Sequence, residues 1–202
     1  MRNKVLTLSL IFTLVLTLGC GQDAPASAPE NAVTTNAKLV VAGGCFWCVE
    51  SDFEKLPGVG DVLAGYAGGQ SQQPTYQNHA DHLEVVEVPY DSQTVSYREL
   101  VDYLLRHIDP LDEGGQFCDR GHSYTTAIFY SNANERATAE AAIAEAESVL
   151  GQRVATKIIE LEQFWIAEDY HQDYYKKNPL RYKYYRNGCG RDQRVAQVWG
   201  SD

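Results

Sequence analysis

The chain holds 202 residues, with 17 Lys and Arg against 27 Asp and Glu, a formal net charge of −10. That length supports one ordinary domain, and 44% hydrophobic with 22% charged residues excludes a disordered chain. So acidic a chain is not a phosphate-tracking nucleic-acid binder, which needs clustered Lys and Arg. Thirteen Tyr and five Cys stand out, and Met1 is the only methionine.

At the start, Arg2 and Lys4 form a basic head before an almost continuously apolar stretch, residues 5–18, and then Gly19 and Cys20. This pattern predicts a secretory signal over residues 1–19, too short to span a bilayer comfortably. A small residue directly before Cys20 resembles the lipobox of bacterial lipoproteins, with Thr17 where Leu is usual. The resemblance implies a lipidated Cys20. Residues 20–37 are small, polar and Pro-containing, a flexible tether, so the domain is expected over 38–202.

From there the elements alternate in period. Residues 38–43 read as an apolar strand feeding a helix over 45–56, which Pro57-Gly58 breaks. Strands follow at 62–66 and Leu83–Tyr90, separated by a Gly-, Gln- and Pro-rich loop over 67–77. Ser96 caps a helix carrying Val101, Leu104, Leu105 and Ile108, ended by Asp109-Pro110. A Gly-rich loop leads to a strand at 125–130. Asn132 caps an Ala-rich helix that stops at Gly151, 157–162 is a half-buried strand, and 168–177 is a short helix ended by Asn178-Pro179. A Tyr- and Arg-rich coil containing Gly188-Cys189-Gly190 closes the chain. Strands and helices mix without a regular βαβ rhythm, which favours an α+β two-layer sandwich over a doubly wound sheet.

Reactive chemistry concentrates at Gly43-Gly44-Cys45-Phe46-Trp47-Cys48. A strand runs into two glycines and a Cys opens a helix, where unpaired amides and the helix dipole favour a thiolate. Two aromatics beside the sulfur offer an apolar wall suited to a small uncharged group such as a methyl. A buried Cys in a strand–helix turn, a redox dithiol and half a zinc site remain open on spacing alone.

Gly43-Gly44-Cys45-Phe46-Trp47, then Gly65-Tyr66-Ala67-Gly68-Gly69, Pro74-Thr75-Tyr76, His171-Gln172-Asp173-Tyr174 and Lys177-Asn178-Pro179 together resemble the methionine sulfoxide reductase A family. The likeness covers residues 38–190 in family order. It implies a two-layer α/β sandwich with a central mixed, mostly antiparallel, ferredoxin-like sheet and a long C-terminal coil. It also implies reduction of methionine S-sulfoxide, free or in proteins, through a Cys45 sulfenic acid. Phe46 and Trp47 would take the substrate methyl, Glu84 would be the acid, and Tyr76, Tyr124 and Asp119 would line the site. Strand parity independently puts Glu84 on one face with Val86 and Val88, where an apolar setting raises a carboxyl pKa. The stretch usual before this Glu is shortened to residues 77–83, and Cys118 stands where Asn is usual. His79 and His82 read as polar loop residues, and His171 and Asp173 as structural.

For the resolving thiol, the family's C-terminal habit and the flanking glycines put Cys189 first. Cys48, one helical turn from Cys45, is the alternative, with Cys118 third. A thioredoxin-like oxidoreductase fold lacks its Trp before the first Cys, and a zinc module lacks a second compact ligand pair. No metal or organic cofactor is expected. The expected partners are the sulfoxide and a thioredoxin-like reductant, the expected state a monomer. The expected location is the periplasmic side of a bacterial envelope, held by a lipid, with the outer membrane favoured.

Overall fold

A computed structural model describes residues 33–200 of the protein. The expected signal, Cys20 and most of the tether lie outside the described residues. Strand β1 (Ala37–Gly43) runs through the centre of a six-stranded sheet. Its alternation splits the core: Leu39 and Val41 face one side, Val40 and Ala42 the other. Helix α1 (Phe46–Phe53) follows directly, then β2 (Leu63–Ala67) and β3 (Leu83–Tyr90).

Helix α2 (Tyr97–Arg106) starts at a complete capping box, in which Ser96 accepts from the Glu99 amide and Glu99 accepts from the Ser96 amide at 2.8 Å. Its stripe of Leu100, Val101, Leu104 and Leu105 is buried, as the spacing predicts. A small hairpin, β4 (Gly115–Gln116) with β5 (Asp119–Arg120), precedes β6 (Thr126–Tyr130). Asn132 caps α3 (Ala133–Leu150), and Gly151 ends it in a left-handed conformation. Only alanines, Ala139, Ala142 and Ala146, are buried from α3, so its backbone lies close to α2. Strands β7 (Lys157–Glu160) and β8 (Phe164–Ile166) close the two edges.

The spatial order is β7-β6-β1-β3-β2-β8. Only the β6–β7 pair is parallel; the other pairings are antiparallel, which gives the mixed, mostly antiparallel sheet expected. One face carries the larger core under α1, α2 and α3, including Val86, Val88, Phe46 and Ile108. The opposite face holds a smaller core of Val40, Ala42, Ala67, Leu83, Val85, Ala127 and Phe129.

Three local expectations need correction. Residues 169–173 form turns, and helix α4 is confined to Tyr174–Lys177, because Asp173 takes a left-handed φ of 55° that interrupts a continuous helix. The expected C-terminal coil is instead two helices, α5 (Pro179–Gly188) and α6 (Arg191–Trp199), broken by Gly190 at φ 66°. Pro179 at the first helical position starts α5 rather than preventing it, since its missing N–H is one the helix would leave unpaired. The hairpin β4–β5 and strand β8 are two or three residues long, too short for periodicity to announce.

Candidate active site

The turn between β1 and α1 requires its glycines. Gly44 sits at φ +83°, and a Cβ there would lie 2.5 Å from the Gln116 Cβ. Cys45 is the residue that caps α1, and its carbonyl accepts from the Cys48 amide at 3.1 Å. Two amides further out, at the open end of the helix, the Phe46 N–H donates to Glu84 Oε2 at 3.1 Å. Glu84 comes from β3, opposite Tyr66 of β2, on the same face as Val86 and Val88. The side-chain parity read from the sequence therefore delivers the carboxyl to the turn that carries Cys45.

Glu84 is 2% exposed, and burial pushes its carboxyl up to about 8, aided by the Asp119 charge, against the pull of the Phe46 amide and Tyr124. At neutral pH it is mostly protonated and can donate. Tyr124 lies within hydrogen-bonding reach of Glu84 and of the Tyr76 hydroxyl, so an acid and two phenols converge beside Cys45. Tyr76 is exposed at the mouth, and its amide donates to Glu168 at 3.0 Å. Asp119, from the β4–β5 hairpin, accepts a hydrogen bond from Tyr185 of α5.

Both Cys45 and Cys48 carry free, buried thiols within reach of each other. The helix start does not leave Cys45 with a lowered pKa: burial first, then the neighbouring Cys48 and Glu84, push it up. Cys48 is instead drawn down, by the hydrogen bond from Cys45 and then by Arg191 and Arg186. The two thiols titrate as a coupled pair. Cys189 does not stand free opposite Cys45. It is bonded to Cys118, with Cα atoms 5.1 Å apart.

The two aromatics after Cys45 differ in exposure. Trp47 is half-buried, stacked on Tyr174 at 3.7 Å, and its Nε1–H donates to His171 Nδ1 at 3.0 Å. Phe46 is 1% exposed and packs against Tyr66 and His171. Because Nδ1 accepts, the His171 proton is assigned to Nε2; burial lowers the ring's pKa and keeps it neutral. His82 braces the 67–77 loop through the Gly69 amide and Ser71, as a loop residue should. His79 does more than that reading gave it: it is buried, stacks on Tyr66, and its Nε2 lies 3.8 Å from Glu84 Oε1.

Sequence reasoning missed Tyr185, whose hydroxyl reaches both Asp119 and Cys45. It also missed Arg191, 3% exposed, whose guanidinium donates to the carbonyls of Gly43 and His107 and so pins the catalytic turn to α6. Neither has a local signature, since a Tyr among thirteen and an Arg after a glycine look like surface residues.

Two clusters invite a metal reading. Glu50, Glu54 and Asp173 place ligand atoms within 4.8 Å of one another, but Lys176 Nζ already bridges Glu54 at 2.6 Å and Asp173 at 2.7 Å. Cys118, Asp119 and Cys189 are equally close, yet their sulfurs are spent on the disulfide.

The family model for peptide methionine sulfoxide reductase matches residues 37–202. The chain belongs to this family. It is 49% identical over 195 residues to peptide methionine sulfoxide reductase MsrA 2 of Rhizobium meliloti, covering 96% of this chain and 95% of that protein. A Bacillus licheniformis reductase of the same name class, MsrA, is 44% identical over 169 residues, covering 79% and 91%. Among solved structures, reduced Mxr1 of Saccharomyces cerevisiae superposes with a TM-score of 0.68 at 29% identity, covering 72% of this chain and 87% of that one. The methionine sulfoxide reductase A of Corynebacterium diphtheriae gives 0.63 at 32%, covering 71% and 75%. The chain is thus an oxidoreductase of the methionine sulfoxide reductase A kind, and its thiols are the reducing groups.

Proposed function

We propose that the protein reduces the S epimer of methionine sulfoxide, free or in proteins, using Cys45 as nucleophile, Glu84 as acid and Cys48 as resolving thiol. The observation that carries this is the buried Glu84 carboxyl, held by the first amide of α1 one residue from the Cys45 sulfur. Cys45 attacks the sulfoxide sulfur as Glu84 protonates the oxygen; the oxygen then passes from that sulfur to the Cys45 sulfur, the substrate S–O bond breaks, and methionine leaves with Cys45 as a sulfenic acid. Tyr76 and Tyr124 donate to that oxygen, and Phe46 with Trp47 receives the methyl. Asp119 orients Tyr185 beside the sulfur.

Cys48 then attacks the Cys45 sulfur, water leaves, and a Cys45–Cys48 disulfide forms. Two features favour Cys48 over Cys189: its thiol is free and lies one helical turn from Cys45, whereas Cys189 is bonded to Cys118. A thioredoxin-like dithiol protein completes the cycle; a complex of yeast Mxr1 with Trx2 has the same fold as this chain. The ferredoxin-like reading of the scaffold rests on the succession β1-α1-β2-β3-α2-β6 with the antiparallel order β6-β1-β3-β2. A lipid on Cys20 would hold this domain, as a monomer, on the periplasmic side of an envelope membrane. Among the described residues no helix is long and apolar enough to cross one.

The deciding experiment assays separate S and R epimers of a methionine sulfoxide substrate with dithiothreitol. Reduction of S alone is expected, and activity on R alone would refute the assignment.

A further inference from the structure

The chemistry above leaves His79 without a task. It lies in the turns that lead into β3, where a histidine could stay in water, yet it is 8% exposed. Its ring is held between Tyr66 at 4.8 Å and Tyr76 at 5.6 Å, both stacked on it. Ser123 donates to its carbonyl at 3.4 Å. A polar ring buried and fixed in this way needs a partner for each nitrogen.

Those partners fix where two hydrogens sit. His79 Nδ1 lies 3.1 Å from the Thr75 carbonyl, which can only accept, so Nδ1 carries the ring hydrogen and in the neutral ring Nε2 keeps its lone pair. Nε2 stands 3.8 Å from Glu84 Oε1. The other carboxyl oxygen, Oε2, accepts from the Phe46 amide at 3.1 Å. The acid hydrogen of Glu84 therefore belongs on Oε1, the oxygen that faces His79. Such contacts are often long in a free enzyme and tighten in its substrate complex. Of the other groups facing Glu84, negative charge on Asp119, Cys45 or Cys48 repels a carboxylate, and Tyr124 offers a hydrogen rather than a lone pair. Tyr66, Tyr76 and His171 face the ring of His79.

We propose that His79 is the positioning residue of the acid: its Nε2 accepts the Oε1 hydrogen of Glu84 and keeps the carboxyl neutral until the substrate takes that hydrogen. The proposal rests on the reading of Glu84 as the acid. The Phe46 amide on one oxygen and His79 on the other fix both the rotation of the carboxyl and its protonation state. Tyr66 and Tyr76 stop the ring from turning away, and the Thr75 carbonyl excludes the tautomer that would aim a hydrogen at Glu84. When the Cys45 thiolate attacks, the proton passes from Oε1 to the sulfoxide oxygen and ends as the hydrogen of the sulfenic acid. Glu84 is left a carboxylate. One proton from solvent, equal to the one Cys45 shed on ionising, restores Oε1–H.

The test is a double-variant cycle read at the first turnover. His79→Phe keeps a ring between Tyr66 and Tyr76 and removes the acceptor. Rapid-quench methionine release should slow about tenfold, and the alkaline limb of kcat/KM should move down by about one pH unit, because no hydrogen bond now favours the neutral acid. His79→Gln, whose terminal amide reaches the Nε2 position and can accept, should recover most of both. In a Glu84→Gln background, His79→Phe should cost less than about twofold, since no acid remains to be positioned. A full tenfold loss in that background, or an alkaline limb that stays in place in His79→Phe, overturns the proposal and leaves His79 as packing beneath Tyr76. Should His79→Phe fold poorly, His79→Asn, which keeps the hydrogen bond to Thr75 and falls short of Glu84, carries the same expectations. Glu84→Gln alone separates the two claims. A near-normal first turnover there refutes the acid itself, whereas a slow one with an additive His79→Phe refutes only its positioning.

Discussion

At the scale of single residues, two fields compete on Glu84. The amino end of α1 and the Phe46 amide favour a carboxylate, an effect worth at most about 2 kcal/mol, or about 1.5 pKa units. Burial works the other way and wins, leaving the carboxyl near 8. Glu84→Gln keeps the volume and removes the proton, so single-turnover methionine release should slow by about 10² to 10⁴ with the fold intact. Rapid-quench measurement of that first turnover checks it; a near-normal rate would move the acid elsewhere.

The same residue sets a pH profile. Glu84 must be protonated, so kcat/KM falls as pH rises through about 8. The Cys45/Cys48 pair must have lost one proton, so kcat/KM falls as pH drops below about 7. A narrow bell between these limits is expected, with both limbs belonging to the free enzyme. In Glu84→Gln the alkaline limb should vanish and the acid limb remain.

The strand–turn–helix unit is the element on which the site depends. Gly44 adopts a backbone conformation that L residues rarely take, and the hairpin side chain Gln116 fills the space where a Cβ would go. Gln116 in turn holds Asp109 through both its amide and its carbonyl, at 2.9 and 2.7 Å. Gly44→Ala therefore strains the turn and pushes on the hairpin that carries Asp119. A loss of about 1–3 kcal/mol in urea unfolding is expected, with a larger fractional loss of activity than of folded protein. Unchanged stability and rate would show that the turn tolerates a side chain.

Elements with a sharp boundary signal were legible in the sequence: the capping box at Ser96, the Asn132 cap and Gly151 stop of α3, and the β3 span. Helices α5 and α6 were not. Their few buried side chains, Tyr182 and Arg191, are polar types scattered at no clear period, so nothing local separates them from coil. Their order comes from partners far away in sequence: Arg186 on Asp52 at 2.9 Å, Arg194 on Asp109 at 2.6 Å, and Arg191 on Gly43.

For the whole molecule, the remaining question is where the domain stands. The segment carrying Cys20 precedes the described residues, so its role is tested chemically. Cys20→Ser should move the protein from the detergent-rich to the aqueous phase and abolish incorporation of a labelled fatty acid, with the domain's activity retained. Unchanged partitioning would mean that no lipid was attached.

The sequence by itself determined the family, the nucleophile's turn and the face on which Glu84 lies. Each of these is local: a rigid motif around two glycines, or a two-residue strand period that fixes a side chain's direction. Only the tertiary structure decided which sulfur faces which. Cys45, Cys48, Cys118 and Cys189 could pair in several ways on spacing alone. The choice was made by the packing of α5 and the β4–β5 hairpin over α1, which joins Cys118 to Cys189 and leaves Cys45 and Cys48 as free thiols. Tyr185 and Arg191 joined the site for the same reason, since contacts made across more than a hundred residues leave no pattern near either partner.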